Sequence, residues 1–153
     1  MAAVMDLTVG ATARFGDYPV TREEVLEFAA KYDPQPFHLD DAAASAHPLF
    51  ARLCASGWHV CAMVMRMTVE HQAPWQDRIL GAAGVDELRW MRPVYPGDRL
   101  RCQTTILDLV HDKPRPGLVM ATIETIAFNQ DDVAVMRQVA RPLFLATPPA
   151  TGV

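Results

Sequence analysis

The chain has 153 residues, 50% of them hydrophobic, with 14 Lys and Arg against 18 Asp and Glu for a formal net charge of -4. That length holds one sizeable core and is short for two. Neither the acidic balance nor any Lys/Arg run offers the electrostatic footprint of a nucleic-acid partner or an anionic membrane surface.

The N-terminal MAAVMDLTVGATARFG has no basic start, carries Asp6 early and lacks a long apolar core, so it reads as neither signal peptide nor membrane span, and a cytoplasmic protein is expected. Leu7 to Phe15 alternate loosely as a first strand, closed by a turn at Gly16-Asp17-Tyr18-Pro19. Thr21 and Glu24 form a capping-box pair, and Val25, Phe28 and Ala29 share one face of a helix reaching to about Lys31. Pro34 stops it, because proline disfavours helical geometry in the residue before it. Asp40 opens a short alanine-rich helical segment that ends near Pro48.

From Ser56 to His71 the run SGWHVCAMVMRMTVEH is too long for a typical strand and apolar on almost every face, with Arg66 its interior charge, so a buried helix capped by Ser56 is predicted. Met63, Met65 and Met67 read as its core stripe. Gln72 to Ala83 reads as a polar connection. Strands follow at Gly84 to Met91, Arg99 to Val110, Leu118 to Phe128 and Val133 to Leu145, separated by the turn signals PVYPGD, HDKPRPG and NQDD. The second half is therefore expected to be an antiparallel meander. One apolar helix and about five antiparallel strands bury most if the sheet curls around the helix, an α+β arrangement that is the hot-dog fold. A single domain over 1–147 is expected, with a frayed proline-rich tail at 148–153. Exposed sheet edges in such a fold favour a homodimer or a dimer of dimers.

Two stretches carry chemistry. In YDPQPFHLD, Asp33 and His38 supply an acid and a base separated by two prolines. Fully extended, that spacing would hold them roughly 16 Å apart, so they cooperate only if the loop folds back. Pro34 and Pro36 restrict the preceding residues and lower the entropy of the open loop. A carboxylate and an imidazole on one water would form a general acid and base pair; the plainer alternative is a chain-turning Asp33 and a satisfied loop histidine. At the start of the buried helix, the free N–H groups of Gly57 and Trp58 lie at the positive end of the helix dipole, where a thioester carbonyl could be received. A tight first turn fitted against a neighbour is the alternative for Gly57. Cys54, Cys61 and Cys102 show no CxxC and read as buried thiols, and no two of the five histidines have metal-ligand spacing, so no metal is expected.

Together, DPQPFH, ASGWH and GVDELRWMRPVYPGD resemble the MaoC-like dehydratase family of hot-dog proteins, which includes (R)-specific enoyl-CoA hydratases, from the first helix to the final strand. The family's D-x-N-P-x-H motif is met in register by Asp33, Gln35, Pro36 and His38, with glutamine in place of asparagine; the amide is kept and a methylene added. The resemblance implies water added to or removed from a double bond conjugated to a thioester. Asp33 would take a proton from water, His38 would orient that water and exchange a proton at the α-carbon, and the Gly57 amide would hold the thioester oxygen. A serine that assists in some hydratases further along the helix has no counterpart, the run carrying Cys61, Ala62 and Met65.

The expected ligand is an acyl thioester such as acyl-CoA, with CoA as part of the substrate and no separate cofactor. Gln35, Phe37, Ser56 and Trp58 are the candidate substrate-binding residues, and Leu49 and Phe50 could also set pocket depth. Arg92, Arg99, Lys113 and Arg115 are either phosphate partners or ordinary solvated charges. An acyl-CoA thioesterase and a noncatalytic acyl-thioester-binding module remain the alternatives, since a fold does not imply a function.

Overall fold

The structure is a computed structural model that describes residues 7–146. Its element order is β1 (Thr12–Pro19), α1 (Arg22–Tyr32), a short 3-10 turn at Pro36–His38, α2 (Asp41–Ala46), α3 (Gly57–Gln72), a 3-10 segment at Ala73–Arg78, β2 (Ile79–Trp90), β3 (Arg99–His111), β4 (Leu118–Phe128) and β5 (Ala134–Leu145). The tail expected at 148–153 lies outside the described residues.

The five strands form one antiparallel sheet in the order β1-β3-β4-β5-β2. Helix α3 packs on it chiefly over β1 and β3. Val60, Met63, Val64 and Met67 of the helix meet Leu100, Cys102, Ala127 and Met136 of the strands in the core. This is the hot-dog arrangement that the alternating strands and the apolar helix imply. Among the described residues, no helix is long and apolar enough to cross a membrane.

Four expectations need correction. The first strand continues through Gly16 to Pro19 instead of turning there. A register shift between Phe15 and Tyr18 marks an irregularity; Gly16 has φ +86° and lies so close to Met67 that a Cβ would collide with its side chain. The supposed polar connection after α3 ends at Arg78, where β2 already begins; most of β2 is exposed, so the alternating burial that betrays a strand is missing. Only β3, β4 and β5 form a meander, because the chain crosses from β2 at one edge to β3 beside β1. Finally, α3 is not buried all round: Trp58, Met65 and Val69 are 60%, 54% and 48% exposed, while Met63 and Met67 are buried.

Candidate functional site

The Asp33 and His38 loop follows directly from the end of α1. The Asp33 N–H closes that helix on the Ala29 carbonyl at 2.9 Å, and the Gln35 N–H then turns back on the Asp33 carbonyl at 2.7 Å. Pro36 starts the 3-10 turn, where its missing N–H and fixed φ are tolerated. The turn brings His38 round so that its Nε2 lies 3.5 Å from Asp33 Oδ2. His38 is 5% exposed, and its ring packs edge-on against Phe37 at 4.6 Å.

The other ring nitrogen is fixed from the next segment. His38 Nδ1 lies 2.8 Å from the Cys54 carbonyl oxygen. A carbonyl only accepts, so Nδ1 carries a proton and Nε2 is the nitrogen offered to Asp33. The Cys54 backbone is itself held in place: Ala55 donates to the Val94 carbonyl at 2.8 Å, and the Tyr95 hydroxyl donates to the Phe50 carbonyl at 2.7 Å. The VYPG turn thus braces the segment that aims His38. Burial pushes the Cys54 thiol up to about 11, which keeps it protonated beside the imidazole.

Ser56 connects the loop to the helix. Its hydroxyl donates to Asp33 Oδ2 at 2.7 Å and accepts from the Trp58 N–H at 3.3 Å, acting as the N-cap of α3. The Gln35 side-chain amide donates to the other carboxylate oxygen, Oδ1, at 2.6 Å. Burial raises the Asp33 pKa, but the Ser56 and Gln35 hydrogen bonds and the charge of His38 outweigh it, leaving the carboxyl below its ordinary value. The longer glutamine amide therefore still reaches back to the carboxylate.

Gly57 is the first residue of α3, so its N–H has no carbonyl in its own helix to bond. The absence of a side chain there has a definite cause. A Cβ on Gly57 would stand 2.5 Å from Cε2 of Trp90, and the Trp90 indole N–H donates to the Gly57 carbonyl at 2.8 Å. The glycine is thus fitted against a neighbour, and its N–H has no carbonyl of α3 to bond. Trp58 lies edge-on to Trp90 at 5.1 Å and is 60% exposed.

Of the residues singled out in the sequence, Asp33, Gln35, His38, Ser56 and Gly57 form one connected group. Phe37 backs it within an aromatic cluster with His47 and Phe50. Leu49 is 76% exposed. Arg99 and Arg115 are engaged by Asp17 and Asp112. Sequence reasoning missed the Cys54 carbonyl, which no side-chain pattern signals, and Trp90, whose only advance trace was a glycine in a helical first turn where alanine would be better by about 1 kcal/mol. No group of three or more His, Cys, Asp or Glu placed to hold a metal occurs among the described residues.

Residues 6–127 match the family model described as a MaoC like domain. A Bacillus subtilis (strain 168) protein, YdeM, of uncharacterized function, is 26% identical over 130 residues, covering 85% of this chain and 89% of that one. Among solved structures, a MaoC-like dehydratase from Rhodospirillum rubrum is 38% identical with a TM-score of 0.86, covering 94% of this chain and 96% of the other. The (R)-hydratase PhaJ1 from Pseudomonas aeruginosa is 26% identical with a TM-score of 0.68, covering 96% and 93%.

Proposed function

The chain belongs to the MaoC-like domain family, and from that premise we propose that it is a hydratase or dehydratase acting on an enoyl thioester, with enoyl-CoA as the substrate. The observation that carries this reading is the 3.5 Å approach of His38 Nε2 to Asp33 Oδ2, with the same carboxylate tied through Ser56 to the start of α3. Likeness to an (R)-hydratase of similar fold supports it.

In the hydration direction the pair begins as carboxylate and imidazolium. Asp33 takes a proton from water as the hydroxyl oxygen bonds to the β-carbon. The electron pair of the double bond moves toward the thioester, whose oxygen becomes enolate-like and is held by the Gly57 N–H at the helix N-terminus. His38 Nε2 then delivers its proton to the α-carbon. The pair ends as carboxylic acid and neutral imidazole, the form that runs dehydration, and one proton passing from Asp33 to His38 restores the start. The Nδ1 hydrogen bond to Cys54 holds the ring in both forms, so no reorientation is needed between steps.

The same reading makes the protein a homodimer. Strand β2 is the last of the sheet, is exposed over most of its length, and has Leu80 and Val85 at 50% and 54% exposure. Trp58 of α3, 60% exposed and edge-on to Trp90 of that strand, adds to it, giving an apolar edge of the kind that soluble proteins cover. Crotonyl-CoA tests the activity: the account expects loss of the conjugated enoyl absorbance with formation of the 3-hydroxyacyl thioester and no free thiol. Thiol release without hydration would identify a thioesterase, and saturable binding without turnover a noncatalytic module.

A further inference from the structure

The inward face of the sheet is apolar except at one level. Cys102 and Ile106 flank Thr104 on β3, Ile123 and Ala127 flank Thr125 on β4, and Met136 and Ala140 flank Gln138 on β5. The three polar residues are register neighbours: Thr104 pairs with Thr125, and Thr125 with Gln138. Their side chains therefore stand side by side on one face. Thr125 is 5% exposed, and among the described residues no side-chain hydrogen bond of Thr104, Thr125 or Gln138 to the protein is made, which leaves their polar atoms to whatever fills the space beside them. All three line a cavity of about 490 Å³ between the sheet and the Met65 to Gln72 half of α3.

The chemistry of that cavity restricts what it can hold. Among the described residues no Asp, Glu, Lys or Arg lines it, and burial lowers the pKa of His71 in its lining, favouring the neutral ring. A charged group would find no counter-ion among the described lining residues, and a plain hydrocarbon would leave three polar side chains unpaired. Threonine hydroxyls and a glutamine amide both donate and accept, which suits an uncharged oxygen.

The sheet register also places the cavity relative to Trp90 and, through it, Gly57. The adjacent inward level is Cys102, Ala127, Met136 and Trp90, and Trp90 is the residue bonded to Gly57. The polar level is one step further along the strands, roughly 7 Å away. Resting on the hydratase reading above, we infer that the cavity takes the outer part of the substrate's acyl group, and that Thr104, Thr125 and Gln138 select a chain bearing an uncharged oxygen, such as a hydroxyl or keto group.

The test compares kcat/KM for octenoyl-CoA and its terminally hydroxylated counterpart, with crotonyl-CoA as a short reference, in the wild type and in a Thr125→Val, Gln138→Leu double variant. The wild type is expected to prefer the hydroxylated chain about tenfold or more, and the double variant to bring the ratio near one or reverse it. A ratio is unaffected by a partly inactive preparation, and Thr104→Val provides the same comparison if the double variant does not fold. A wild-type ratio near one, as ordered water at this level would give, overturns the selection while leaving crotonyl-CoA hydration intact. So does a ratio that the substitutions leave unchanged. Failure of the wild type on all three thioesters overturns the hydratase reading, and the acyl assignment with it.

Discussion

The Ser56 hydroxyl donates to Asp33 Oδ2 at 2.7 Å while capping α3 through the Trp58 N–H at 3.3 Å. One buried oxygen therefore fixes both the carboxylate and the start of α3, whose Gly57 N–H is the proposed partner of the thioester oxygen. Ser56→Ala should cost about 1 kcal/mol of stability through the lost cap. It should also raise the Asp33 pKa by removing a hydrogen bond to the charged form. Activity that needs the carboxylate is present above that pKa and lost as pH falls through it, so the acid limb of the pH–rate profile should move to higher pH. An acid limb that stays in place would separate Ser56 from the tuning of Asp33.

Gly57→Ala puts a methyl carbon into the Trp90 ring. Overpacking of this kind costs about 1–3 kcal/mol, and relief requires the indole or the first turn of α3 to move. The expected result is a lower melting temperature with kcat reduced about tenfold or more, since misplacing an oxyanion donor acts on the transition state. Unchanged kcat would remove the Gly57 N–H from the account.

Trp90→Phe keeps a ring beside Gly57 and deletes the N–H that donates to its carbonyl. Steady-state kinetics should show kcat reduced severalfold, by about 3- to 10-fold, with KM little altered, as expected for the loss of one neutral hydrogen bond that aligns the helix start.

His59 is buried against Phe28, its Nδ1 has no hydrogen-bond partner among the described residues, and burial lowers its pKa from 6.5 despite the opposing charge of Glu24. The unfolded chain takes up a proton as pH falls through about 6.5 while the folded chain does not, so stability should fall as pH drops below that value. Melting curves between about pH 7.5 and pH 5.5 should show a smaller decline in His59→Leu than in the wild type. His71 shifts in the same direction and should account for part of the slope that remains.

The strands with one buried face were legible because alternation records burial: β4 occupies Leu118–Phe128 as expected, and β3 extends one residue beyond Val110. The start of α3 was legible from Ser56 and its cap. Edge strand β2 was only half seen, since exposure on both faces leaves no period to read. Its place beside β5 is a tertiary fact that local pattern does not encode. At the site, the residue types of Asp33 and His38 could be read, but not the 3-10 turn that reduces their separation to 3.5 Å. The polar level of Thr104, Thr125 and Gln138 was invisible for a similar reason: each residue is unremarked on its own strand, and only the register aligns them.

The central claim is that Asp33 and His38 act as one proton-exchanging unit, and the most direct measurement is a double-mutant cycle on enoyl-CoA hydration. Asp33→Asn and His38→Ala should each reduce kcat by about 10² to 10⁴, with the double variant about as slow as the slower single variant, because groups that act together are not additive. Losses that simply multiply, or single variants that hydrate crotonyl-CoA at the wild-type rate, would contradict the account.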